Sequence, residues 1–252
     1  MKLKSKIKRI PTGIAGFDKL IGGGFPKNFV VLLAGTPGTG KSIFSLEYIY
    51  NGATKFDETG VYVTLEQTVD DLKKQALQFG WDFDKLEREG KVAIECIEEL
   101  GVDETIVKIK KAVEKIKAER LVVDSFSGMR ALLSIHRELL SQLRGQFPSR
   151  ADAPVQIITD KESSRKIVWD IFRNLKSLNC TTLIPSEVIV GTEVLSTDGV
   201  SEFSCDGIIL LKKLSMGREE VRTISVEKMR ATHIDGGTHD LEFTEEGIVV
   251  GE

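Results

Sequence analysis

Residues 29–42 set three features in an order that leaves few folds open. An apolar run, Phe29-Val30-Val31-Leu32-Leu33-Ala34, is followed by the octapeptide Gly35-Thr36-Pro37-Gly38-Thr39-Gly40-Lys41-Ser42 and then by a helix-like segment. The glycines let backbone N–H groups turn inward around an anion without Cβ interference, and the helix offers its positive N-terminal end to the same point. Strand, loop and helix together read as a phosphate-binding loop. In it Gly35, Thr36, Pro37, Gly38, Thr39 and Gly40 wrap the phosphates of a nucleoside triphosphate. Lys41 reaches the β- and γ-phosphates, and Ser42 ligates Mg²⁺. A glycine-rich turn matching by chance would need no hydroxyl directly after the lysine.

The rest of the chain repeats the alternation. Strand-like runs lie at about 29–34, 60–65, 91–97, 120–124 and 180–185, with helical patterns between them at about 41–55, 68–79, 102–118 and 155–178. Such alternation predicts an α/β fold with a mainly parallel twisted sheet covered on both faces by helices. After Pro185 the pattern changes to strands near 207–214, 219–227 and 239–250, an expected antiparallel extension. At 252 residues and 41% hydrophobic, the chain suits one domain over 1–252 with a core that needs no staples. The stretch 133–153, with Arg137, Arg144 and Arg150, interrupts the alternation and reads as an exposed excursion or lid. The basic and apolar residues of 1–10 alternate as in a lysine-protected edge strand.

Net charge of −3 gives no global reason to bind nucleic acid, so that function has to be argued from local basic surface. The odd, scattered cysteines Cys96, Cys180 and Cys205 read as buried reduced thiols. No apolar stretch approaches the roughly 20 residues of a membrane span, and no signal-peptide pattern is present. A soluble cytoplasmic protein is the expectation.

Two acids complete the expected site. Arg120-Leu121-Val122-Val123-Asp124 is an apolar strand ending in a carboxylate, where a second Mg²⁺-organising group belongs, although an aspartate there also serves as a helix cap. Val61-Tyr62-Val63-Thr64-Leu65 ends in Glu66, which the same sheet edge would place to orient and polarise an attacking water. The plainer reading of Glu66 is a favourable charge near the next helix N-terminus.

With these residues in view, the chain resembles the RecA superfamily, and within it the KaiC-like and RadA-like ATPases. The resemblance runs over nearly the whole chain. It is carried by Thr12-Gly13 through Gly22-Gly23-Gly24-Phe25-Pro26, the phosphate loop, Tyr62-Val63-Thr64-Leu65-Glu66, Phe79-Gly80-Trp81-Asp82, Asp124-Ser125 and Lys228-Met229-Arg230. It implies a RecA-like P-loop NTPase that uses ATP/ADP and Mg²⁺. It also implies a homo-oligomeric, commonly hexameric, ring with nucleotide between subunits. Lys228 and Arg230 would then reach the γ-phosphate held by a neighbour, and His233 would approach nucleotide across the same interface. Without the resemblance, Lys228 and Arg230 read as solvated charges on a strand.

The chain departs from the family pattern at three points. Glu66-Gln67 stands where KaiC-like rings often carry two glutamates, so a two-carboxylate mechanism is not available. The positions of the KaiC phosphorylation pair fall on Glu202-Phe203, which argues against autophosphorylation. Asn28 stands where glycine is frequent, a matter of turn geometry. The alternative function is a RadA-paralogue-like ATPase that binds single-stranded DNA through Arg137, Arg144, Arg150 and residues 191–204. The latter stretch carries acids and no lysine or arginine, so it would attract phosphate poorly. A third reading is a nucleotide-holding scaffold with little turnover. Phe79 and Trp81 read as a packed corner rather than a base-stacking pair.

Overall fold

The computed structural model describes residues 7–97, 101–127, 161–188, 195–196, 200–216 and 219–251. A short strand β1 (Arg9–Ile10) pairs antiparallel with β2 (Phe25–Pro26), with helix α1 (Phe17–Leu20) between them. There follow β3 (Val30–Gly35), α2 (Lys41–Lys55), β4 (Gly60–Thr64), α3 (Val69–Leu77), α4 (Phe83–Arg88), β5 (Val92–Cys96), α5 (Val102–Ile116) and β6 (Arg120–Asp124). After residues 128–160, which include the stretch 133–153 and lie outside the described residues, come α6 (Lys161–Ser177), β7 (Thr181–Glu187) and α7 (Ser201–Ser204). The chain then runs through β8 (Gly207–Met216), β9 (Glu219–Met229), β10 (Thr238–Thr244) and β11 (Gly247–Val250).

These strands form one nine-stranded sheet in the order β11-β10-β9-β8-β3-β7-β6-β4-β5. The strands from β8 to β5 in that order are parallel, and β9, β10 and β11 are joined by antiparallel pairing. The alternation of β3 decides which side chain meets which layer, because successive residues of a strand point to opposite faces. Val31 and Leu33 pack with Phe44, Tyr48 and Ile49 of α2. Val30 and Leu32 pack on the other face with Ile109 and Val113 of α5 and Val168, Phe172 and Leu175 of α6. With helices on both faces, a strand has no solvent side, and β3 is accordingly apolar and buried at every position.

The expected strands and helices are present with small shifts, and four differences have physical causes. The 239–250 run is a hairpin, because Glu245-Glu246 turn the chain and Gly247 takes φ 138°. A second helix, α4, follows α3 because Asp82 caps it, its side chain accepting from the Lys85 N–H at 2.9 Å. The antiparallel part begins one strand later than expected, since β8 runs parallel to β3 from Val31↔Gly207 to Gly35↔Leu211. Of the lysine-rich start, the described part forms only the two-residue β1, and residues 1–6 lie outside the described residues.

The glycine-rich opening is tied down by Asp18, whose carboxylate accepts from the N–H and hydroxyl of Thr12 at 2.9 and 2.8 Å and from the Gly13 N–H at 3.0 Å. Asn28 adopts φ 64°, a left-handed turn that asparagine tolerates. Trp81 is buried between Phe79 and Tyr50, with ring centroids 4.7 and 5.7 Å away, so this corner is packed core. Cys180 and Cys205 are buried free thiols, whereas Cys96 is only half-buried.

Candidate functional site

The carboxyl ends of β3, β6 and β4 lie on one edge of the sheet, and register alone brings the expected residues there. Thr64 pairs with Asp124, and the Leu65 N–H donates to the Asp124 carbonyl at 2.7 Å. Glu66 therefore leaves β4 beside the residue that ends β6. The turn is held by Thr64, whose hydroxyl donates to the Gln67 carbonyl at 2.9 Å and accepts from the Gln67 N–H at 3.0 Å. Thr68 then caps α3 by accepting from the Asp71 N–H at 3.2 Å.

The loop Gly35-Thr36-Pro37-Gly38-Thr39-Gly40 runs from β3 into α2. Gly38 and Gly40 have φ of 77° and 103°, where a Cβ would be strained. Thr39 steadies the turn by donating its hydroxyl to the Thr36 carbonyl at 2.8 Å. Lys41 folds back over the loop, donating to the Gly35 and Thr36 carbonyls at 2.8 and 3.0 Å. Burial lowers the Lys41 pKa from its ordinary value, against the opposing pull of Glu187, Asp124 and Glu66. Lys41 and the N-terminal end of α2 give this loop the positive potential that an added anion needs, while the three acids around Lys41 oppose the anion unless a cation enters with it.

Ser42, on the first turn of α2, donates its hydroxyl to Asp124 Oδ2 at 3.2 Å. The same oxygen accepts the buried Tyr62 hydroxyl at 2.5 Å. Burial raises the Asp124 pKa, and the Tyr62 and Ser42 hydrogen bonds hold it down by favouring the carboxylate. A hydroxyl and a carboxylate converging on one point are hard oxygen donors. They suit Mg²⁺, which takes one or two protein oxygens and keeps the rest for water and phosphate. Glu66 is exposed and accepts a short hydrogen bond from the Ser125 hydroxyl, so its carboxylate is oriented just beyond the Ser42–Asp124 pair. Gln67 donates to Ser42 Oγ at 3.5 Å and accepts from Gln75 of α3 at 2.7 Å. The peptide joining Asp124 to Ser125 is cis.

Lys228 and Arg230 lie elsewhere. Lys228 pairs with Ile208 and Met229 with Gly207, at the end of β8 that adjoins the start of β3. Four to five residues at about 3.3 Å each separate that level from Gly35. Lys228 donates to the Glu202 and Cys205 carbonyls at 2.9 and 2.8 Å. Arg230 donates to Asp206 Oδ1 at 3.1 Å. Burial lowers the Lys228 pKa. These cations do not meet the phosphate loop of their own chain, and His233 is exposed in the turn after β9 at the same end. Arg137, Arg144 and Arg150 lie outside the described residues, as do 191–194 and 197–199.

Several neighbours of the site escaped the sequence reading. Tyr62 reads in the sequence as a strand residue, yet it holds Asp124. Glu187, paired in register with Gly35, brings another carboxylate to the loop. The position of Glu187 after an apolar strand at the same edge was a usable signal, whereas the Tyr62–Asp124 contact depends on strand order.

A model described as the KaiC ATPase matches residues 10–161 and 152–252. A UPF0273 protein of Thermotoga maritima is 36% identical over 244 residues, 97% of this chain and 96% of that protein. The circadian clock oscillator protein KaiC of Synechococcus elongatus is 30% identical over 96% of this chain, which spans 44% of that longer protein. The crystal structure of a KaiC-like protein from the hyperthermophilic archaeon Pyrococcus horikoshii superimposes with a TM-score of 0.80 at 34% identity, covering 98% of this chain and 100% of that one. Among the described residues no helix is long and apolar enough to cross a membrane. The mainly parallel sheet, the phosphate loop and these matches together place the chain in the KaiC ATPase family of the RecA superfamily.

Proposed function

We propose that this chain is a Mg²⁺-dependent ATPase that hydrolyses ATP to ADP and phosphate, slowly, at the interfaces of a homo-oligomeric ring. The observation that carries the reading is the convergence of Lys41, Ser42, Asp124 and Glu66 on one strand edge. In it Lys41 and the loop N–H groups hold the phosphates, and Ser42 with Asp124 holds Mg²⁺, which neutralises charge on the β- and γ-phosphates when bound. Glu66, oriented by Ser125, accepts hydrogen bonding from the attacking water and aligns it. Lys228 and Arg230 act from a neighbouring subunit on charge developing on the transferred group, which agrees with their distance from their own loop. His233 lies on that same interface. The whole chain works as a single domain in the cytoplasm, and its output is a regulatory or assembly switch.

Phosphate release from γ-labelled ATP with Mg²⁺ tests the reading. Glu66→Gln should lower turnover by about 10²- to 10⁴-fold while leaving ATP binding intact, and Lys41→Ala should weaken binding itself. Wild-type protein that binds ATP without releasing phosphate would instead be the nucleotide-holding scaffold.

A further inference from the structure

The reacting end of the site lies to one side of β3, toward β6 and β4, where Asp124 and Glu66 stand. A nucleotide whose terminal phosphate points there must send its base the other way, toward β8, β9 and β10. On that side the loop is not bare. Phe243 of β10 reaches back across the antiparallel strands to the glycine that precedes Lys41, and a Cβ on Gly40 would overlap the ring. Arg222 of β9 lies over the same ring, its guanidinium carbon 5.1 Å from the centroid. It also directs Nε toward the Gly38 carbonyl at 3.4 Å. A Cβ at Gly38 would meet nothing within 4 Å, so the surface beside the pair is open. Phe243 keeps 36% of its surface exposed, so part of the ring is accessible beside the loop.

We infer that Phe243 and Arg222 form the base-stacking wall of the nucleotide site. The wall takes the flat face of a nucleobase whose phosphates lie in the loop, and this inference rests on the nucleotide reading above. An aromatic ring backed by a guanidinium offers a rigid π-surface to a heteroaromatic ring, and such stacking depends on the face of the base rather than on its edge. The wall is attached to the loop itself through Gly38 and Gly40. Base and phosphates are therefore bound by one continuous surface.

Stacking separates from phosphate binding when ATP is compared with inorganic tripolyphosphate, which has the anion and no base. Both are titrated calorimetrically with Mg²⁺ into the full chain carrying wild-type sequence, Phe243→Ala, Phe243→Trp or Arg222→Ala. Wild type is expected to bind ATP more tightly than tripolyphosphate. Phe243→Ala should weaken ATP by about tenfold or more, with tripolyphosphate changed less than about twofold, and Phe243→Trp should retain ATP affinity. Arg222→Ala should move in the same direction as Phe243→Ala by a smaller factor. Equal weakening of both ligands in Phe243→Ala would mean that the ring only props the loop, and would overturn the wall while leaving the nucleotide site standing. Equal wild-type affinity for both ligands would also overturn it. Binding of neither ligand by wild type would remove the nucleotide reading and the wall together.

Discussion

Tyr62 and Asp124 share a hydrogen bond of 2.5 Å inside the sheet, between adjacent parallel strands. The acceptor is the same carboxylate oxygen that receives the Ser42 hydroxyl. A buried carboxylate is costly to keep charged, and this phenol lowers the cost from within the sheet while the serine approaches from the first turn of α2.

Tyr62→Phe removes that donor without changing the packed shape. Stability should fall by about 2 kcal/mol, as expected for a lost hydrogen bond to a charged group, measured by urea unfolding at neutral pH. Because the Tyr62 bond favours the ionised form of Asp124, its loss should raise the pKa of Asp124 further. The acid limb of the phosphate-release profile should therefore move to higher pH, and an unmoved limb would remove Asp124 ionisation from the reaction.

Glu47 of α2 lies beneath β11, where its carboxylate accepts the Ile248 N–H at 2.8 Å and the Asn51 amide at 3.4 Å. Burial pushes its pKa up to about 7, against the lowering effect of these hydrogen bonds. The folded state thus binds a proton that the unfolded chain releases near its ordinary value of 4.5. Stability from this group is fully present below that value, declines as pH rises to about 7, and is flat beyond it. Over that window the loss should be about 3 kcal/mol. Glu47→Gln should flatten the corresponding part of a stability–pH curve and be more stable than wild type at pH above about 7. Equal slopes in the two proteins would contradict the assignment.

Arg120 is fully buried, paired with Glu58 at 2.6 Å and donating to the Tyr48 and Pro11 carbonyls at 2.7 Å each. Its guanidinium lies 4.7 Å from the Tyr48 ring centroid and 5.3 Å from that of Phe56. Glu58→Ala leaves this cation in the interior with carbonyls alone, and should cost about 3–5 kcal/mol in thermal or urea unfolding. A change below about 1 kcal/mol would mean that the carbonyls and rings suffice.

Arg230→Ala should leave the fold intact, because Asp206 keeps Lys176 at 2.8 Å and its bond from the Val30 N–H at 3.1 Å. ATP binding should persist while turnover drops by about a thousandfold or more, in the manner of a cation supplied to the transition state. Mixing Arg230→Ala with Lys41→Ala should recover activity that neither protein has alone, since each supplies what the other lacks. Absence of recovery in subunit-exchanged mixtures would place Arg230 outside the reaction.

The sequence was most legible where a local pattern and a tertiary constraint coincide. The run Val30–Gly35 was legible as a buried strand because it is short, partly β-branched and closed by a glycine loop, and α2 begins where Lys41 was expected. Asp124 and Glu66 were legible as strand-end acids, and parallel register joined them. The hairpin at Glu245-Glu246 was missed because two glutamates are weak turn residues, and the signal lay in Gly247 alone. The contacts of Phe243 with Gly40, Arg120 with Glu58 and Tyr62 with Asp124 span long separations along the chain. Strand order sets them, and one sequence does not disclose it.

The phosphate loop leaves the carboxyl edge of β3, whereas Lys228 and Arg230 emerge beside its amino edge. A two-fold contact would join loop and cations reciprocally between the same two copies, whereas a ring joins them in sequence from copy to copy. In the proposed ring the contact would be head-to-tail, each copy giving its cations to one neighbour and taking them from another. Such a contact is directional, and only its rotation per step decides between a closed ring and an open filament. In either form, every subunit between two others would own one loop and complete someone else's.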